Sequence, residues 1–149
     1  MNSISEDFRE CRESSIPLSR YIGIPYKLNG RDESGTDCLG LVWMYLQDQG
    51  IFIPDGDGVP VDQSNVMQIQ ERFIASLDRL GAKVDAPQAN DIVLIHWRHQ
   101  VAHLGVMIDS QRMLHAAFDR TSEVGSIAAF RHRILGFWRI KGCQQLEQL

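Results

Sequence analysis

Three side chains could together break an acyl bond: the thiol of Cys38 and the imidazoles of His103 and His115. A thiol attacks a carbonyl as thiolate, so it needs a neighbouring base, and imidazole titrates in the right range. That base must itself be held in one tautomer and one orientation by a third polar group. The run Gly35-Thr36-Asp37-Cys38-Leu39-Gly40-Leu41-Val42-Trp43 suggests how the thiol is presented. Asp37 is a good N-cap and a regular apolar pattern follows it at once, which predicts a helix with Cys38 in its first turn. Unpaired backbone N–H groups and the positive end of the helix dipole gather there and favour the thiolate. The competing reading is a small buried hydrophobe, the usual state of a free cysteine.

The elements that must position these groups follow from periodicity. The helix runs on to about Gln49, with Leu39, Val42, Tyr45 and Leu46 on one face and Gly50 as its C-terminal stop. Gly40 removes a side chain beside the cysteine, so a backbone or a substrate can approach. Residues 5–14 read as a short amphipathic helix carrying Cys11, and Pro17 to Ile22 as another. The stretch from Gly23 to Gly35 reads as loop. Val66, Ile69, Phe73, Leu77 and Leu80 mark a helix from Ser64 to Leu80, ended by Gly81.

The period then changes. Asp91 to His96 suits a buried strand, and 103–108 and 112–116 flank Asp109-Ser110-Gln111 as a hairpin. Counting from that turn pairs Leu104 to Ile108 roughly against Arg112 to Ala116, and His103 and His115 are expected opposite one another at the open end, close enough for a ring-to-ring hydrogen bond. Ile134 to Ile140 is a last strand. Helices first and an antiparallel meander after them predict an α+β fold, with N-terminal helices packed on one side of a central sheet.

Composition bounds the rest. With 149 residues, 44% hydrophobic and 23% charged, the chain is a single globular domain over 1–149, with an N-terminal helix within 1–16 and a polar tail at 141–149. A net charge of −4 gives no bulk attraction to nucleic acid or an anionic membrane. Three cysteines are too few and too odd for a disulfide framework. No apolar run reaches membrane-spanning length, and Met1 to Phe8 lacks a signal-peptide layout, so synthesis in the cytoplasm is expected, with delivery by other means.

Asp37-Cys38-Leu39-Gly40-Leu41-Val42, preceded by Gly23-Ile24-Pro25-Tyr26 and followed by His103-Leu104-Gly105-Val106 and His115-Ala116, resembles the NlpC-type peptidoglycan endopeptidases, a compact branch of the papain-like cysteine peptidases. The likeness runs from about Pro17 to Ile140. It implies that Cys38 is the nucleophile, His103 the base and later the acid, and His115 the group that orients His103. It also implies that Tyr26 lies over the cleft, that its hydroxyl joins the backbone N–H of Cys38 in an oxyanion hole, and that Asp37, Leu39 and Gly40 border the substrate. The implied reaction is hydrolysis of a stem-peptide bond, typically D-glutamyl to diamino acid, through an acyl-enzyme. Leu39 stands where serine is usual, Lys27-Leu28-Asn29-Gly30 where Val-Trp-Gly-Gly is typical, and Asn90-Asp91 where Gly-Asp is. The bulky residue after the cysteine and the missing signal resemble the phage-tail branch, which implies phage-tail partners.

Other classes fit the residues less well. His96, His99 and His103 have a metal-like spacing, but a strand followed by a loop does not make such rings converge, and no carboxylate or cysteine is near; no metal and no cofactor are expected. His132 reads as solvated and Cys143 as non-functional. Deamidation or acyl transfer would use the same nucleophile and base, and a non-enzymatic tail component would need none of these three residues.

Overall fold

The computed structural model describes residues 16–98 and 101–141. The expected helix at 5–14, Cys11, His99, Cys143 and the polar tail lie outside the described residues. After a single 3₁₀ turn at Leu18–Tyr21 come a two-strand hairpin, β1 (Arg31–Asp32) and β2 (Gly35–Thr36), and helix α1 (Cys38–Asp48). A 3₁₀ turn at Val66–Gln68 leads into α2 (Ile69–Leu80). The remaining strands are β3 (Gly81–Val84), β4 (Ile92–His96), β5 (Ala102–Met107), β6 (Arg112–His115), β7 (Glu123–Ser126) and β8 (Ile134–Ile140). They form a six-stranded sheet in the order β3-β8-β4-β5-β6-β7, antiparallel throughout. The fold is α+β, as expected from helices first and strands after.

The ends of α1 explain its length. Asp37 accepts the Gly40 N–H at 2.8 Å, satisfying one of the first-turn donors. At the other end Gly50 takes φ +86°, Gly50 N–H reaches Gln47 O at 3.0 Å and Ile51 N–H reaches Leu46 O at 2.8 Å. Those two bonds are the paired closure that a left-handed residue after the cap allows. Leu41, Val42, Tyr45 and Leu46 bury against Ile92, Leu94, Leu104, Val106, Leu114 and Trp138 on one face of the sheet. The other face carries Val93, Ile95, Trp97, Met107 and Met113, covered by Ile127, Phe130, Ile134 and Phe137. Burial on both faces is why Ile92 to Ile95 reads as an unbroken apolar run rather than an alternating one.

Several expectations change. The sheet is not a plain meander: β4 to β7 run in sequence, but β8 crosses back to pair with both β4 and β3. The strands β3 and β7 were not foreseen, because each is a short edge strand with little buried surface. Gly81 does more than end α2. It opens β3, where a Cβ would stand 2.1 Å from Arg139 O of the neighbouring strand. The helix from Ser64 starts five residues later, at Ile69. The Asp62 carboxylate binds the N–H and hydroxyl of Ser64 and holds a turn there, and Val66 remains exposed. The loop expected from Gly23 to Gly35 contains the β1–β2 hairpin. Among the described residues no helix is long and apolar enough to cross a membrane.

Candidate active site

Asp37 fixes the start of α1 and the loops before it. Its Oδ1 accepts from Gly40 N–H and from Arg31 Nη1, both at 2.8 Å, and its Oδ2 accepts the Asn29 N–H at 2.8 Å. Arg31 reaches on to Asp55 at 2.7 Å and so ties the 53–61 loop to the same point. Asp37 is buried, and both its oxygens are engaged inside the protein. Gly40 admits a neighbouring backbone: a Cβ there would fall 2.2 Å from Gly30 O and 2.4 Å from Thr36 Oγ1.

This packing sets Cys38, partly buried, in the first turn of α1. Burial pushes its thiol up to about 12, and the Asp37 carboxylate adds to the rise; the backbone groups of Leu104 and Leu39 at the sulfur oppose it. The resting group is therefore a thiol, not the thiolate that the helix start alone would favour. Leu104 is the residue after His103, so the sulfur sits against the open end of β5.

Tyr26 is held beside it by a bridge to Thr36, with Lys27 N–H donating to Thr36 O and Thr36 N–H to Pro25 O, both at 3.0 Å. The same segment is tied to the β6–β7 connection, since Ser122 Oγ accepts the Ile24 N–H at 2.8 Å and donates to Tyr21 O at 2.6 Å. Burial, then the nearness of Cys38 and Asp37, raises the Tyr26 hydroxyl above its ordinary value, so it stays a donor.

His103 and His115 are both buried, and their rings meet through Nε2 and Nδ1 at 2.9 Å. The strands pair as expected, 104–108 against 112–116, but that pairing does not set the histidines opposite one another. His115 faces Gly105, not His103, so the two histidines are diagonal neighbours on the same face of the sheet. An offset of two residues preserves the face, which is why the rings still touch. Burial, and then His115, pushes His103 down to about 3; burial also lowers His115, with Glu123 opposing and Arg120 reinforcing. The pair is neutral at rest. Trp97 walls it in, its ring 5.1 Å from His103 and 5.5 Å from His115. The other side of His115 was not foreseen: Nε2 lies 3.4 Å from Glu123 Oε2 on β7. Only recognition of β7 as a strand would have pointed to it.

A cavity of about 420 Å³ opens at Cys38 and Tyr26 and runs between α1, α2 and the 53–61 loop. Leu39, Val42, Ile53, Val61, Phe73 and Leu104 make its walls apolar, and Leu39 packs towards Gly56 of the loop. The Arg31–Asp55 and Arg72–Asp57 pairs hold that loop in place. The histidines lie outside the cavity. His96 is bonded to Gln70 at 2.8 Å. No cluster of histidine, cysteine or carboxylate side chains among the described residues could hold a metal ion.

The NlpC/P60 family matches the chain over residues 23–137, from the segment bearing Tyr26 to the last strand. The chain belongs to the NlpC/P60 family. Among solved structures, the NlpC/P60 domain of the peptidoglycan hydrolase SagA is similar at 22% identity and TM-score 0.55, over 93% of this chain and 99% of that one. An NlpC/P60 family protein from Bacillus cereus ATCC 10987 is similar at 22% identity and TM-score 0.58, over 80% of this chain but 36% of that one. NlpC2 from Trichomonas vaginalis follows at 13% identity and TM-score 0.60, over 91% of this chain and 47% of that one. The chain thus spans about a third of the first of those two and just under half of the second, and likeness at these identities establishes the shared fold. No curated protein matches the chain significantly.

Proposed function

We propose that this NlpC/P60 domain is a cysteine peptidase that hydrolyses peptide bonds in peptidoglycan stem peptides. The observation that carries the reading is a capped helix start that sets the Cys38 sulfur at the backbone of Leu104, the residue after His103, which is itself half of a buried, hydrogen-bonded histidine pair. A scaffold has no use for two neutral imidazoles in van der Waals contact with an indole. SagA's description as a peptidoglycan hydrolase supports the substrate class.

In the proposed reaction His103 takes the Cys38 proton as sulfur attacks the scissile carbonyl. Its Nε2 is engaged with His115, so Nδ1 is the nitrogen left for the thiol. The backbone N–H of Cys38 and the Tyr26 hydroxyl steady the oxyanion. The imidazolium returns its proton to the departing amine, leaving a thioester, and water activated by the same imidazole releases the acid and restores the thiol. Leu39 borders the substrate on the helix side, Gly40 faces Gly30 and Thr36 rather than the cavity, and His115 orients His103. The bond assigned is D-glutamyl to diamino acid, and carriage to the wall on a phage tail accounts for how the enzyme reaches it.

Digestion of muropeptides followed by mass spectrometry tests the proposal and identifies the bond. Cleavage by the unmodified protein and none by Cys38→Ala is the expected result. Full-rate cleavage by Cys38→Ala ends the nucleophile assignment. Ammonia release or a transfer product in place of hydrolysis assigns the same site to deamidation or acyl transfer.

A further inference from the structure

The two histidines admit two neutral arrangements, and these are not equivalent. In the first, His103 Nε2–H donates to His115 Nδ1, so the His115 proton sits on Nε2 and the His103 lone pair on Nδ1. In the second, His115 Nδ1–H donates to His103 Nε2, which leaves a lone pair on His115 Nε2 and a proton on His103 Nδ1. Only the first leaves His103 able to accept a proton from a thiol.

What faces His115 Nε2 decides between them. That nitrogen is buried and makes no well-formed hydrogen bond. Glu123 Oε2 stands 3.4 Å away, at ion-pair rather than ideal hydrogen-bond geometry. The register places the two residues directly opposite each other on β6 and β7. An ionised carboxylate can only accept, so a lone pair on Nε2 would face negative charge, whereas an N–H there meets an acceptor. Arg120 Nη1 donates to the same Oε2 at 3.1 Å. The aromatic neighbours, Trp97 and Phe130, present rings to His115.

We propose that Glu123 is a positioning residue that sets the tautomers of both histidines, holding the His115 proton on Nε2 and thereby freeing Nδ1 of His103 as the base. The catalytic consequence rests on the peptidase reading above; the tautomer itself does not. It acts through His115 and touches no reacting atom. A hydrogen-bonded partner behind a site histidine fixes its tautomer and ring orientation in the same way when the histidine holds a metal.

The experiment is long-range ¹H–¹⁵N correlation of the imidazole nitrogens in the unliganded protein at pH 7.5, which reads the tautomer without turnover. His115 and His103 are both expected to carry their proton on Nε2. In Glu123→Leu the His115 proton is expected to shift towards Nδ1, and Glu123→Gln, which keeps a carbonyl acceptor, is expected to restore Nε2. In parallel, kcat on muropeptides should fall about 10- to 100-fold in Glu123→Leu with KM little changed, and recover most of the loss in Glu123→Gln. A proton on His115 Nδ1 in the unmodified protein overturns the proposal, and so does an unchanged Nε2 tautomer in Glu123→Leu. If Glu123→Leu does not fold, Glu123→Ala is read in its place, and an unchanged Nε2 tautomer there overturns the proposal equally. Correct tautomers in a protein that cleaves nothing would count against the peptidase reading alone.

Discussion

Lowering the pH from 7.5 to 5.0 should unmask the cost of burying His103. Its imidazole ordinarily titrates near 6.5, and in the fold burial and the adjacent His115 bring it down to about 3. On acidification the unfolded chain takes up this proton first, so the stabilisation is complete above 6.5 and drains away as pH falls towards 3. At pH 7.5 the unfolded imidazole is mostly neutral and the effect is negligible. At pH 5.0 it is protonated in the unfolded chain and still neutral in the fold, a loss of about 2 kcal/mol at 1.36 kcal/mol per pKa unit. His115, lowered in the same direction, adds to the loss. For a domain of this size that is about 4–8 °C in Tm. Urea unfolding at both pH values, with His103→Gln as reference, isolates the effect: the variant should lose about 2 kcal/mol less than the unmodified protein across that interval. Identical losses in the two proteins would mean that the unfolded and folded imidazoles titrate alike, and the buried neutral pair would have to be abandoned.

Two further outcomes follow from the same geometry. Asp37→Ala removes the cap on α1, leaves the Asn29 N–H without its acceptor, and breaks the pair with Arg31, which keeps Asp55. The cost should be about 3–5 kcal/mol in urea unfolding, and a loss below about 1 kcal/mol would show that the junction is not held through this carboxylate. Alkylation of Cys38 by iodoacetamide, followed by peptide mass mapping, should be slow at neutral pH and still climb about tenfold per unit between pH 9 and 11, because the thiol is pushed up to about 12; a rate that levels off below pH 8 would contradict a buried thiol.

Much of the site could be read in the sequence because local rules govern it. Asp37 before an apolar period fixes α1 and the place of Cys38, and a parity argument along β5 and β6 puts His103 and His115 on one face. What stayed hidden depends on tertiary company. Glu123 belongs to an edge strand whose Glu-Val-Gly-Ser pattern carries no periodic signal, so its place beside His115 emerges only from pairing. Gly81 looks like a helix stop in either case, and only the approach of Arg139 O reveals that it begins a strand. The diagonal offset of the histidines follows from the three-residue turn at 109–111, which pairs Ile108 with Arg112, the Ile108 N–H on Arg112 O at 2.9 Å, and so sets His115 opposite Gly105.

The charge on the sulfur is where a local rule and the fold disagree, and magnitudes decide between them. A helix N-terminus stabilises a nearby anion by about 0.3–1 kcal/mol, which is less than one pKa unit. Burial here raises the thiol from its ordinary 9.0 to about 12, a larger effect in the opposite sense. Here the Asp37 carboxylate, whose capping creates the helix start, also repels negative charge at its neighbour. Burial therefore prevails, and thiol and imidazole rest uncharged. That outcome gives the second histidine and Glu123 their importance in the proposed chemistry. In a thiolate–imidazolium pair both ring nitrogens of His103 would carry protons, and the resting tautomer would not matter. In a neutral pair a single lone pair must point at the thiol, and the hydrogen bond to His115 determines which nitrogen holds it.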